Sequence, residues 1–281
     1  MQKLSNKYLS VSVNEKGGCI SAIRDGNGNA FTFGGADYWN YCDHILFPFC
    51  GRMNGGYYEY DNKRYSADLH GFAKDIDFSV LYADEKTLTL GFSSNENTLA
   101  VYPFEFDFRV TYRLNENTLG IEYEVLNKDK KTMYFALGSH PGFITDDESV
   151  IDLGASDSEY IPLEGNFLSR ETEIEKQSVI KPDKAFFKKH GTFIARRKSG
   201  TLTLKRKVCD ITVSSDSPLI ALWADEERDS YVCIESWWGA CDYATEPIRE
   251  ISQKPYINAL EAGKAKRFAC SITVSARQEI I

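Results

Sequence analysis

Several features that would mark a large protein class are missing from this sequence. Seven cysteines stand at positions 19, 42, 50, 209, 233, 241 and 270, and no two form a Cys-x-x-Cys pair. That excludes the zinc-ribbon and thioredoxin spacings. No stretch approaches the ~20 apolar residues of a membrane-spanning helix. The opening MQKLSNKYLSVSV has no apolar centre of the kind a secretory signal needs. There is also no basic excess: 33 Lys and Arg against 41 Asp and Glu give a formal net charge of -8. Nucleic acid and membrane are therefore not expected as partners, because both call for a basic footprint. Free thiols without an export signal point to the reducing cytoplasm.

What is present favours a substantial core. The chain has 281 residues, 42% hydrophobic, with 17 Phe and 16 Tyr. Charged residues, 26% of the total and mixed in sign, suit a soluble surface. The length is within reach of a large single β-sandwich, and no linker interrupts it, so residues 1–281 are expected to form one domain.

Alternation is the dominant pattern. Phe104, Phe106, Phe108, Val110, Tyr112 and Leu114 fall on one face of an extended strand, as do Leu119, Ile121, Tyr123 and Val125 in the next segment. Asn115-Glu116-Asn117-Thr118 between them reads as a hairpin turn, and SNENTL around Asn95 to Leu99 reads as a second one. Further strands are legible at YLSVSV, CISAIRD, TLTLKRKV, ITVSS, YVCIESWW and RFACSITVSA. The best helical candidate, Glu171 to Lys189, is broken by Pro182. Dense short strands with turns between them predict an all-β chain, a large sandwich of antiparallel sheets.

Only four histidines are present, in YCDHILFPF (His44), DLHGFAKD (His70), LGSHPGF (His140) and FFKKHGTF (His190). His70 follows a turn-rich stretch, and His140 ends a strand stopped by Pro141-Gly142; strand ends and their loops are where binding groups gather. In YVCIESWWGACD, alternation puts Glu235 on the face of Tyr231 and Cys233, beside Trp237 and Trp238. Partial desolvation there would raise its pKa and suit a general base. The pattern fits equally a strand-end glutamate in a salt bridge beside an aromatic core. Arg52, at the start of a glycine-containing turn, offers a planar fork for hydroxyls or carboxylates, or else is a surface arginine. Tyr58, Trp223, Trp237 and Trp238 could line a site, although large aromatics in a sandwich more often belong to the core.

The segments ILFPFCGRMNGGYYEYDNKRYSADLHGFAKD, LGSHPGF and VCIESWWGACD, in that order, resemble the aldose 1-epimerase (mutarotase) family, in particular its shorter LacX-like branch. The resemblance extends to the closing LEAGKAKRFACSITV. It implies the galactose mutarotase-like supersandwich and interconversion of α and β anomers of an aldohexose through ring opening. It makes Glu235 the general base and His140 the general acid, with His70 a second histidine at the sugar ring. Arg52, Lys74, His190 and Trp237 become substrate-binding residues. No metal or cofactor is implied, because both difficult steps are proton transfers. The implied partner is a small-molecule sugar, and the chain would act as a monomer or homodimer. Glu235 and His140 are expected to hold each other charged, which predicts a bell-shaped pH–rate profile.

Three positions depart from the family pattern. His190 stands where the family usually has a sugar-binding Asp, with Asp183 a nearby alternative. Lys74 replaces the Arg of HGFAR, exchanging a fork for a point charge, and Ser236 replaces a common Pro. Two other functions compete: a sugar-binding protein without turnover, and a mutarotase for hexose 6-phosphates using Arg52, Lys74 and Arg64. A metal enzyme with His70, His140 and Glu235 as ligands lacks the His-x-His pair of cupin-type sites.

Overall fold

Strands Phe106–Asn115 and Thr118–Asn127 form the expected hairpin, in register from Asn115↔Thr118 to Asn127↔Phe106. Their alternating residues divide as the pattern requires. Phe106, Phe108, Val110, Tyr112, Leu119, Ile121, Tyr123 and Val125 are buried, while Arg109 and Arg113 on the other face are exposed. A computed structural model describes residues 1–34, 43–225, 227 and 230–277.

This hairpin belongs to a nine-stranded sheet. Its order runs Val179–Ile180, Val150–Asp152, Thr201–Lys205, Cys209–Ser215, Ala265–Ala276, Thr118–Asn127, Phe106–Asn115, Thr87–Ser93, Ser79–Ala83. A second, eight-stranded sheet runs Glu173–Glu175, Ser158–Ile161, Phe193–Arg196, Leu219–Trp223, Tyr231–Trp238, Leu137–Ser139, Ile45–Leu46, and Gly142–Ile144 also pairs with Tyr231–Trp238. Pairing within both sheets is antiparallel. Trp238 from the second sheet lies against Tyr123 and Phe268 of the first, with ring centroids 6.0 and 5.4 Å apart. The inner faces thus share one core, and the architecture is a large antiparallel β-sandwich of the expected class.

Strand Tyr231–Trp238 is buried at every residue. Val232, Ile234 and Trp238 join the main core, while Trp237 joins a second apolar cluster with Leu46, Ile194, Leu219 and Ala221. Both faces of the eight-stranded sheet are therefore covered at its centre, so this strand reads as a nearly continuous apolar run.

One expected turn is corrected. Asn95 does not form a tight turn: in the longer connection between the paired strands Thr87–Ser93 and Phe106–Asn115 it caps a helix, Glu96–Val101. Its side chain accepts from the N–H groups of Asn97 and Thr98, and Thr98 Oγ1 accepts from the Asn95 N–H at 2.8 Å. This reciprocal pair is a capping box, which the matching tetrapeptide Asn115–Thr118 cannot form within its tight strand pairing. Among the described residues no helix is long and apolar enough to cross a membrane.

Candidate active site

The outer face of the eight-stranded sheet supplies the floor of a cavity of about 420 Å³. Trp223↔Cys233, Ala221↔Glu235 and Leu219↔Trp237 are in register, and Ala221 also pairs with Ile194. Directly opposed residues of an antiparallel ladder point to the same side. Glu235 and Trp237 therefore project with Trp223 and Ile194 into one space, as the alternation in YVCIESWW anticipates.

His140 arrives from the neighbouring strand Leu137–Ser139, which pairs with the floor strand through Gly138↔Trp237. The His140 main-chain N–H donates to Asp43 Oδ1 at 3.0 Å. With the backbone so held, His140 Nε2 lies 3.4 Å from Glu235 Oε1. Trp237 Nε1 donates to the other carboxylate oxygen at 2.8 Å.

His70 is delivered by a turn stitched to the FPFCGR segment. Its φ is +62°, a left-handed conformation that His enters more readily than most residues. Gly71 follows at φ +71°, where a Cβ would lie 2.3 Å from the Phe47 carbonyl oxygen. Phe47 N–H donates to the His70 carbonyl at 3.2 Å, and the N–H groups of Phe72 and Ala73 donate to the Phe47 carbonyl. His70 N–H donates to the Gly51 carbonyl at 2.9 Å, and Gly51 N–H donates back to His70 Nδ1 at 3.0 Å. A neutral His70 must then carry its proton on Nε2, so it is fixed as a hydrogen-bond donor.

Burial sets the electrostatics. Glu235 is only 1% exposed, and desolvation pushes its carboxyl well above the usual range, against the pull of the Trp237 hydrogen bond. Burial lowers His140 to about 4. His70 and His44 are also pushed down, by burial first and then by neighbouring cations and histidines. Desolvation thus drives both groups toward their neutral forms, against the mutual charging expected from the pair alone.

These residues sit within a chain whose relatives are recognisable. A family model for aldose 1-epimerase matches residues 1–273. The chain belongs to the aldose 1-epimerase family. It is similar to the chromosomal Protein LacX of Lactococcus lactis subsp. lactis, 26% identical over 260 residues, covering 84% of this chain and 87% of that one. Among solved structures it is similar to a galactose mutarotase related enzyme from Lactobacillus acidophilus, with a TM-score of 0.92 and 28% identity, covering 99% and 97% of the two chains. A galactose mutarotase-like protein from Lactobacillus casei gives 0.90 and 25%, covering 98% and 99%.

The epimerase-family cavity gathers most of the expected residues: Glu235, His140, His70, Arg52, Lys74 and Trp237 all line it. Arg52 is exposed at the mouth. Lys74 Nζ is tied down, donating to the Gly71 carbonyl at 2.8 Å and to Asp75 Oδ2 at 2.7 Å. His190 is corrected: it ends helix Lys184–His190 and packs against Phe186 (4.6 Å between ring centroids) and Tyr160 (5.2 Å), outside the cavity lining. Asp183 is also taken, capping the same helix by accepting the Phe186 N–H at 3.0 Å. Thr192, just before strand Phe193–Arg196, lines the cavity wall, together with Asn166. Tyr58 and Trp238 belong to the main core, and Arg64 lies over the Tyr57 ring away from the cavity.

His44 was in plain view as one of four histidines but carried no signal for the site. It stacks on His140 at 4.6 Å with an interplanar angle of 23° and meets the edge of His70 at 5.5 Å. One ligand atom from each of His44, His70 and His140 lies within 4.8 Å of the others, and the same holds for His140, Cys233 and Glu235. The histidine set does not suit a metal. A ligating histidine usually donates from its second nitrogen, whereas His70 Nδ1 accepts from Gly51, leaving the proton on Nε2.

Proposed function

We propose that this protein is an aldose 1-epimerase that interconverts the α and β anomers of an aldohexose by proton transfer between Glu235, His140 and the sugar. The observation that carries the reading is the Glu235–His140 pair, 3.4 Å apart on the floor of the cavity. One proton serves the pair. Burial favours it on Glu235; moved to His140, it gives the ionised form that the Trp237 N–H favours by donating to Glu235 Oε2.

From that form Glu235 takes the proton of the anomeric hydroxyl while His140 gives one to the ring oxygen, and the C1–O5 bond breaks. The aldehyde turns about C1–C2. Closure on its other face returns both protons, with each group playing the opposite part. His70, a fixed donor, and Trp237, an apolar plate, are suited to hold the ring oxygen region and a C–H face of the sugar. Asn166 and Thr192 both donate and accept, which matches hydroxyl groups. The reading places the protein in the cytoplasm, acting on a free sugar.

The test is polarimetry on freshly dissolved α-D-glucose and α-D-galactose. Wild-type protein is expected to speed the approach to equilibrium, and Glu235→Gln to abolish the gain. Decay equal to the uncatalysed rate for both sugars would refute turnover of free hexoses. Arg52 stands exposed in the cavity wall, which favours running glucose 6-phosphate in the same assay as the second reading. Sugar binding without acceleration of any substrate would instead favour the non-catalytic carbohydrate-binding reading.

A further inference from the structure

Behind the wall that carries Arg52 lies a buried ion pair that the proposed chemistry never touches. Asp242 is 0% exposed and the Lys254 side chain 2%. Lys254 Nζ donates to both Asp242 oxygens at 2.8 Å and to the Ile248 carbonyl at 2.7 Å, which uses all three of its protons. Asp242 is in turn bonded to the Arg52 turn at two main-chain points. Its Oδ2 accepts the Asn54 N–H at 2.9 Å, and its own N–H donates to the Arg52 carbonyl at 3.0 Å. Asn54 Nδ2 adds bonds to the Tyr243 and Ala244 carbonyls, both at 3.1 Å.

This turn carries two parts of the site. Arg52 is one. The other is Gly51, whose N–H fixes the His70 tautomer. Gly51 has φ +69° and lies so close to Cys241 that a Cβ on it would be 2.6 Å from the Cys241 Cβ. Any shift of the Asp242 segment is therefore passed to Gly51 by direct contact.

An ion pair this deep is a weak source of stability, since desolvating two charges offsets most of their attraction and an apolar pair of similar volume often serves as well. What the charges do supply is direction. A carboxylate clamped by an ammonium can accept the Asn54 N–H from only one place.

We propose that Asp242 and Lys254 are positioning residues: their ion pair fixes the Gly51–Asn54 turn, so that Gly51 holds His70 as its Nε2–H tautomer and Arg52 stands at the cavity mouth. The effect on turnover rests on the anomer-interconversion reading; the effect on His70 does not.

The test is ring-nitrogen ¹⁵N NMR of His70 in the full chain, with thermal unfolding and polarimetry on the same samples. The first variant, Asp242→Asn with Lys254→Met, removes both charges and so leaves neither buried alone. The second, Asn54→Pro, keeps the ion pair and removes the N–H that binds it, at the first residue of the short 3-10 helix Asn54–Gly56 where Pro is tolerated; Asn54→Ala, which loses only the side-chain bonds to Tyr243 and Ala244, is its control. Wild type should show a single Nε2–H pattern. Both variants should show a tautomer mixture, with KM for the sugar raised about tenfold or more and kcat less affected. A folded variant that keeps the single pattern overturns the proposal, and failure of both variants to fold would make the pair a stability element and overturn it equally. If wild type turns over no sugar, the functional reading falls while the NMR result still decides the positioning role.

Discussion

Replacing Trp237 with Phe isolates one hydrogen bond in the proposed catalytic pair. The indole N–H donates to Glu235 Oε2 at 2.8 Å, and both side chains are almost fully buried. A hydrogen bond to a charged group contributes about 1.5–3 kcal/mol, more than one between neutral groups. It favours ionised Glu235 over the protonated form, so its loss should fall on the catalytic form. At about 1.4 kcal/mol per factor of ten, kcat should drop roughly 10- to 150-fold. Phe keeps an aromatic plate in the second apolar cluster, so KM should change little. The Trp237 bond holds the Glu235 pKa down against burial. Without it, the rise of activity with pH should move to higher pH. Polarimetric kcat and KM measured across the neutral range would read both effects. A kcat within twofold of wild type, with the pH limb unmoved, would refute Glu235 as the ionising base.

Other perturbations test different parts of the site. Gly71→Ala meets both a left-handed φ and the Phe47 carbonyl oxygen at 2.3 Å, so it should destabilise by at least ~2 kcal/mol in denaturant unfolding and lower turnover by displacing His70. His190→Ala should leave KM within about twofold of wild type, yet lower the melting temperature through lost ring contacts worth ~0.5–1.5 kcal/mol each. A raised KM would return His190 to the sugar site. His140 is held down to about 4, below its ordinary value, so the stability tied to it is present above pH 6.5 and lost as pH falls toward 4, on the order of 3 kcal/mol. Urea unfolding at pH 7 and pH 4 should show a smaller acid loss in His140→Gln than in wild type. Glu235 has the opposite sign: its raised pKa makes native stability fall as pH climbs above the ordinary carboxylate range, so Glu235→Gln should melt higher than wild type at neutral pH.

The sheets were legible because their strands carry period-two burial, as in Phe106–Asn115 and Thr118–Asn127. Glu235 could be placed for the same reason, its direction fixed by alternation on a strand whose ends were clear. The short polar segments were not. Asn-Glu-Asn-Thr occurs twice, once as a two-residue hairpin turn and once as a helix start, and the capping box that separates them is a tertiary choice. His190 and Asp183 fall outside the cavity lining because a seven-residue helix uses Asp183 as its cap and packs His190 on aromatic rings, which no local pattern shows. His44 joins His70 and His140 only through strand pairing of Ile45–Leu46 with Leu137–Ser139, a long-range register that no local pattern encodes. The Asp242–Lys254 pair, twelve residues apart, looks in sequence like any two surface charges.

The doubly covered strand Tyr231–Trp238 separates what can vary in this protein from what cannot. Its amides lie between two apolar layers and should exchange with solvent only when the whole sandwich opens. The cavity rim, by contrast, is built from exposed Arg52, Leu69 and Asn166 on connecting segments outside the sheets. Loops can be exchanged around such a rim without disturbing the Glu235–His140 pair beneath it. Under the proposed reaction, choice of sugar is thereby mechanically uncoupled from the proton transfers, and a new substrate would require new loops on an unchanged floor.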